Sequence, residues 1–112
     1  MRAVFAMAPA VGQAFDQEGL SSVGIPVHIV GSRGDELTRF ELNAAHYASE
    51  LPAAQLTVVH PGGHFVCTSS CNDLGRGVAS LVCFDPDPAT DRRTVHEQIA
   101  AEGVRFFRRE LD

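Results

Sequence analysis

Two side chains in this sequence have the types and the spacing for proton transfer. Asp35 follows Ile25-Pro-Val-His-Ile-Val-Gly-Ser-Arg-Gly34, and His64 follows Leu56-Thr-Val-Val-His-Pro-Gly-Gly63. Each stands in a glycine-containing turn just beyond an apolar, β-branched run. Open α/β sheets place their chemistry in the loops beyond the carboxyl ends of the strands. An acid after one strand and a histidine after the next supply two parts of a hydrolytic triad. The carboxylate holds the imidazole in one tautomer, and the imidazole removes a proton from a hydroxyl that is otherwise a poor nucleophile. Glu36 is a weaker substitute for Asp35, one residue out of place. The plainer use of Asp35 is to form a turn after glycine.

The other candidates weigh less. His60 and His64 are four apart, a metal-binding spacing on a helix, but Pro61-Gly62-Gly63 forbids a helix there. His28 lies in a strand and reads as a hydrogen-bonded structural residue. His46 and His96 are expected on helix surfaces. Cys67, three residues from His64, is a conceivable but weak catalytic thiol. The three cysteines, Cys67, Cys71 and Cys83, allow one disulfide plus a free thiol, or three thiols. No metal site or cofactor is expected.

The elements that must position Asp35 and His64 follow from hydrophobic pattern and breakers. Arg2 to Ala8 is apolar nearly throughout and reads as a fully covered strand. A short helix is expected over Asp16 to Val23, with Asp16 as N-cap. Ile25 to Val30 is the second strand, ending in the turn Gly31-Ser-Arg-Gly34. Phe40, Ala44, Tyr47, Ala48 and Leu51 recur at three- and four-residue steps, which predicts one helix from Arg39 to Leu51, stopped by Pro52. Gln55 to His60 is the third strand, read as buried. Val78 to Phe84 is a short helix or an extended segment. A last helix is capped by Thr90 or Asp91, with a stripe of Val95, Ile99, Val104 or Gly103, Phe107 and Leu111. Alternation of this kind implies an α/β fold with a parallel sheet.

Composition bounds the function. With 112 residues the chain is one domain at most, and its core is modest. A net charge of -5 argues against nucleic acid as a partner. The basic cluster Arg105, Arg108 and Arg109 reads as a solvated helix face. No apolar run approaches the ~20 residues of a membrane span. No signal peptide is evident, so reduced thiols and a cytoplasmic location are the default expectation.

Gly31-Ser-Arg-Gly-Asp35, Asn43-Ala-Ala-His-Tyr-Ala48 and Pro61-Gly-Gly-His-Phe65, with the tail Asp91-Arg-Arg-Thr-Val-His-Glu97 and Arg105-Phe-Phe-Arg-Arg109, together resemble the C-terminal part of an α/β-hydrolase. The dienelactone-hydrolase-like branch is the nearest likeness. The resemblance implies that residues 1–112 form a single partial domain: a three-stranded parallel half-sheet with flanking helices. It implies Asp35 as triad acid and His64 as triad base, and a disulfide between Cys71 and Cys83. The Gly-x-Ser-x-Gly elbow that carries the nucleophile in that family has no counterpart here. The expectation is therefore a truncated hydrolase-like protein, not catalytic alone. The alternative is a partial serine esterase activated by a nucleophile-bearing partner chain. Ser32 is the first serine to examine within the chain. The strand at residues 2–8 would have an unpaired edge, which predicts a homodimer through it.

Overall fold

The computed structural model describes all of Met1–Asp112. Strands β1 (Val4–Met7), β2 (Val27–Ser32) and β3 (Ala54–Val59) form one parallel sheet in the order β1-β2-β3. The helices are α1 (Gln17–Ser21), α2 (Ala44–Glu50), α3 (Asp73–Val78), α4 (Ser80–Cys83) and α5 (Arg92–Leu111), with 3-10 turns at Gly12–Ala14, Phe40–Leu42 and His64–Cys67. No helix is long and apolar enough to cross a membrane.

The core lies on both faces of β2, whose six residues are all buried. Successive side chains of a strand point to opposite faces. Val27 and Ile29 accordingly pack with Phe40 and Ala44 on the α2 side. Val30 packs with Val59, Val66, Val95 and Ile99 on the α5 side. Gly31 lies on the α2 side, where a Cβ would strike the Ala44 methyl and the Phe40 ring. Glycine there lets the helix approach the strand closely.

Several expectations need correction. β1 and β3 are edge strands and only partly covered; Met7, Gln55 and Leu56 are exposed. Without a further strand beside it, an apolar run need not be buried on both faces. β2 continues through Gly31 and Ser32 instead of turning at Gly31, because both pair with β3 at Val58 and Val59. The helix predicted over Arg39 to Leu51 is two pieces, broken at Asn43. The Asn43 carboxamide accepts from Gly12 N–H at 2.9 Å and donates to the Arg39 carbonyl at 3.0 Å. An interior Asn that competes for backbone groups in this way ends regular helix. The apolar stripe survives the break, since Phe40 and Ala44 both remain in the core.

On α5, Asp91 is the N-cap, its carboxylate accepting from Arg93 N–H at 3.1 Å. The buried stripe is Val95, Ile99 and Phe106, not Phe107, and Gly103 lies against the Phe5 ring. Phe107 and Leu111 are turned to solvent beside β1. His46 and His96 are partly buried, each bonding a carbonyl through Nε2: Phe15 at 2.7 Å and Val66 at 2.9 Å.

His28 is structural. It is buried between the Phe5 and Phe106 rings, with Nε2 at 2.9 Å from Thr57 Oγ1 and Nδ1 without a partner. Burial lowers its pKa below the usual 6.5; the Glu102 carboxylate works against this and Arg109 with it. The unfolded chain therefore binds a proton at His28 where the folded chain does not, so stability is lost as pH falls below 6.5. Urea unfolding should show a lower midpoint at about pH 5.5 than at about 7.5, and a smaller drop in His28→Gln. Equal drops would refute the role given to His28.

Candidate functional site

The site is built where β2 and β3 end side by side. β2 stops at Ser32, and Asp35 N–H closes a turn onto the Ser32 carbonyl at 3.2 Å. The Asp35 carboxylate then folds the next residues around itself. Oδ1 accepts from Leu37 N–H at 3.0 Å and Thr38 N–H at 2.7 Å. Oδ2 accepts from the Thr38 hydroxyl at 2.7 Å and from His64 Nδ1 at 2.8 Å. Asp35 is only 6% exposed, and these four donors use the acceptor capacity of an ionised carboxylate.

His64 opens the 3-10 turn after β3. The chain reaches it through a cis His60–Pro61 peptide and two buried glycines. Three contacts fix that path. The Ser32 hydroxyl donates to the Gly62 carbonyl. Gly34 passes under the same carbonyl, where a Cβ would collide with it. Gly63 N–H donates to Asp85 Oδ1 at 3.0 Å. Asp85 is held in turn by Arg92, whose Nε donates to Oδ2 at 2.7 Å. The other guanidinium nitrogens bond the Thr68 hydroxyl and the Ser69 and Val82 carbonyls. One side chain from the start of α5 thus fastens the whole segment around the histidine.

The hydrogen-bond directions define the ring. The Thr38 hydroxyl gives its proton to Asp35, so its oxygen can only accept from His64 Nδ1, 3.1 Å away. Nδ1 therefore carries a proton, shared between Asp35 and Thr38, and in the neutral ring Nε2 presents a lone pair. Nε2 has no partner within the chain, is not among the buried unpaired atoms, and is open to solvent on a partly exposed ring. It is a proton acceptor with a carboxylate behind it, the arrangement a general base requires.

A nucleophile does not accompany it. Ser32 is buried, its hydroxyl committed to Gly62 and accepting from Gly34 N–H at 3.3 Å. Cys67 lies near the acid in an enclosed space lined also by Asp35 and His64. Burial pushes its thiol pKa up, and the Asp35 charge adds to this against the opposing Arg92, so it is held as the unreactive thiol. Cys71 and Cys83 are joined as a disulfide, the pairing implied by the resemblance. Glu36 is exposed and makes no hydrogen bond to His64. No cluster of three or more His, Cys, Asp or Glu side chains has metal-binding geometry.

No protein-family model matches the chain, and comparison with curated proteins and with solved structures finds no match.

Sequence reasoning brought Asp35 and His64 forward, and the structure brings them together. It passed over Thr38, Asp85 and Arg92. Thr38 carried a local signal, since in Asp-x-x-Thr after a glycine turn the threonine amide and hydroxyl can both donate to the acid. Arg92 carried one also: a cation in the first turn of a helix opposes the helix dipole and calls for an anionic partner. Asp85 carried none, because Asp85-Pro-Asp-Pro88 reads only as a break.

The Asp85–Arg92 pair is nearly buried, at 11% and 7% side-chain exposure. Arg92→Met leaves a buried carboxylate uncompensated and should cost about 3–5 kcal/mol of unfolding free energy. The double variant Asp85→Asn/Arg92→Met should recover part of that loss. Denaturant unfolding measures both. A loss under about 1 kcal/mol in Arg92→Met would show that the pair does not hold the loop.

Proposed function

We propose that residues 1–112 are the acid–base part of an α/β-hydrolase-like domain, of the dienelactone-hydrolase-like kind, and do not hydrolyse esters alone. The observation that carries this is the 2.8 Å contact of His64 Nδ1 with Asp35 Oδ2, with Nε2 left open. A parallel sheet with the acid after its middle strand and the histidine after its third supports the reading. In this role Nε2 takes the proton of a hydroxyl brought to it, while Nδ1–H stays with Asp35 and stabilises the imidazolium. The same Nε2–H then protonates the leaving alkoxide. The hydroxyl and the donors for the oxyanion come from polypeptide outside these residues. Without them most of the acceleration is lost.

Two measurements test this. A fluorophosphonate probe should label no serine of the isolated chain, and p-nitrophenyl acetate should show no saturable turnover. Labelling that disappears in His64→Ala would overturn the reading. Diethyl pyrocarbonate should acylate His64 at Nε2, and Asp35→Asn should slow this about tenfold or more, because the carboxylate no longer fixes the tautomer. Acylation of the exposed His60 should be unchanged and serves as the internal reference. Equal rates at His64 with and without the Asp35 carboxylate would remove the acid from its role.

The same reading includes a second copy of the chain along β1. Val4 and Ala8 N–H donate to the Pro26 and Val30 carbonyls, at 3.0 and 2.9 Å. In a parallel ladder the alternate amides, those of Phe5 and Met7, then face away from β2. Nothing from Ala3 to Ala8 blunts this edge with charge or proline. Beside it, Phe5, Met7, Val104, Phe107 and Leu111 line an open apolar groove of about 690 Å³. Arg108 and Asp112 also line the groove, and neither is in an ion pair within the chain. A two-fold axis pairs β1 antiparallel with its copy, sets the two α5 helices on one face, and offers these opposite charges to each other across the seam. Sedimentation at micromolar concentration should give twice the chain mass, and Met7→Lys with Leu111→Lys should give the monomer. A folded wild-type monomer, or a dimer indifferent to both changes, would exclude this interface.

A further inference from the structure

The excursion from Cys71 to Cys83 stands apart from the domain that carries it. It holds α3 and α4, and no residue of it is buried. Neither apolar cluster of the core includes any of its side chains. Leu74, Val78 and Leu81 are left in solvent, at 72%, 77% and 64% exposure. Its hydrogen bonds are local, from the Asn72 cap on Gly75 N–H to the Asp73–Arg76 pair, with one exception. The Val82 carbonyl accepts from Arg92 at 2.7 Å. Helices of six and four residues are not stable on their own in water. With no buried face to hold them, α3 and α4 depend for their order on the Cys71–Cys83 bond that closes their ends.

The same excursion bounds the cleft beside the histidine loop. Leu81 lies in it and Phe84 follows it, and both line that cleft with Glu36, Leu37, His64 and Phe65. The cleft encloses about 60 Å³, against the ~300–1,000 Å³ common for small-molecule sites. Its other walls are fixed. The Asp35 turn is fastened to its own carboxylate, Gly63 to Asp85, and Asp85 to Arg92. The wall made by the excursion is the one whose position depends on a bond that a thiol can open.

We propose that the Cys71–Cys83 disulfide is a redox gate. Closed, it holds Leu81 and Phe84 in the wall of the cleft; opened, it releases α3 and α4 and widens the cleft, while the Asp35–His64 pair stays in place. The electrons come from an external dithiol. Its thiolate attacks one sulfur of the bond and displaces the other, which takes up a proton. Its second thiol then expels the sulfur held in the mixed disulfide, which is protonated in turn, and the reagent leaves as its own disulfide. Two electrons and two protons thus pass to the cysteine pair. Both cysteines are half-buried, not enclosed. Cys67 does not open the bond itself, since burial keeps it a thiol. The Asp35–His64 pair survives because its anchors lie outside the excursion: Arg92 keeps Asp85, Thr68 and Ser69 when it loses Val82. The gate goes beyond the acid–base reading and does not rest on it, since it controls access whatever His64 does.

The test compares the whole chain with and without dithiothreitol, and adds Cys71→Ser/Cys83→Ser without reductant, which excludes reshuffling to Cys67. Trypsin reads the excursion, because Arg76 lies within α3. The initial rate of cleavage after Arg76 should rise at least tenfold on reduction and in the double variant, while cleavage after Arg105, in α5, should not change. A dissolved neutral nitroxide reads the cleft. Its relaxation of the half-buried Phe65 ring protons should rise at least twofold, with the buried Ile29 methyls unaffected and the His64 ring-nitrogen resonances in place. Excess oxidised glutathione should reverse both changes in the wild type. Cleavage at Arg76 indifferent to the bond would show that α3 and α4 hold without it. A Phe65 ring as shielded after opening as before would show that nothing is gated. Reduction that also exposes Ile29 or displaces the His64 resonances would make the bond a prop of the whole domain. Any of these three overturns the proposal. Acylation of His64 that ignores Asp35 would end the acid–base reading and leave the gate standing.

Discussion

A carboxylate kept almost entirely from water must either find donors or lose its charge. Asp35 finds four, and the rest of the site follows from where they come from. Three lie within the next three residues, so the acid shapes its own turn before any distant contact forms. That turn sets Thr38 against the histidine and carries Gly34 beneath the Gly62 carbonyl. The fourth donor is the histidine, which fixes the proton on Nδ1 and leaves Nε2 with its lone pair outward. The orientation of the imidazole is thus a consequence of satisfying a buried charge.

The histidine loop is also held from the opposite side. Arg92 enters the first turn of α5, a position the helix dipole disfavours for a cation. The Asp85 carboxylate and the Asp91 cap offset this locally. In exchange, one guanidinium reaches three backbone or hydroxyl oxygens spread over residues 68–82. Val66, among the most buried side chains, pins the other end of the loop between Val59 and α5. The site is therefore clamped between a self-capping acid turn and a buried ion pair, on a sheet whose middle strand is covered on both faces.

Much of this could be read in the residues, for physical reasons. β2 announces itself because a strand buried on both faces is a continuous apolar run. Asp35 and His64 stand out because breakers follow such runs at strand ends. The α2 stripe persists through the Asn43 break, since burial follows spacing and not helix continuity. What could not be read depends on distant partners. Whether β1 and β3 are covered is decided by what lies beside them. The choice of Phe106 over Phe107 is decided by the angle at which α5 crosses the sheet. Asp85 acquires a role only through Arg92 and Gly63, neither adjacent to it in the chain.

The sheet's spatial order repeats its chain order, β1-β2-β3, and that has a kinetic consequence. Each new strand joins the one made before it, across a connection of about twenty residues, so loop-closure entropy rises little from step to step. The acid turn can mature as soon as β2 has paired. The histidine loop cannot, because its anchor is Arg92, twenty-eight positions after His64. The site is therefore complete only once α5 has docked. Before it, Asp35 has only its three local donors, and the imidazole that supplies the fourth lacks the anchor of its loop. After it, the two are locked in one geometry.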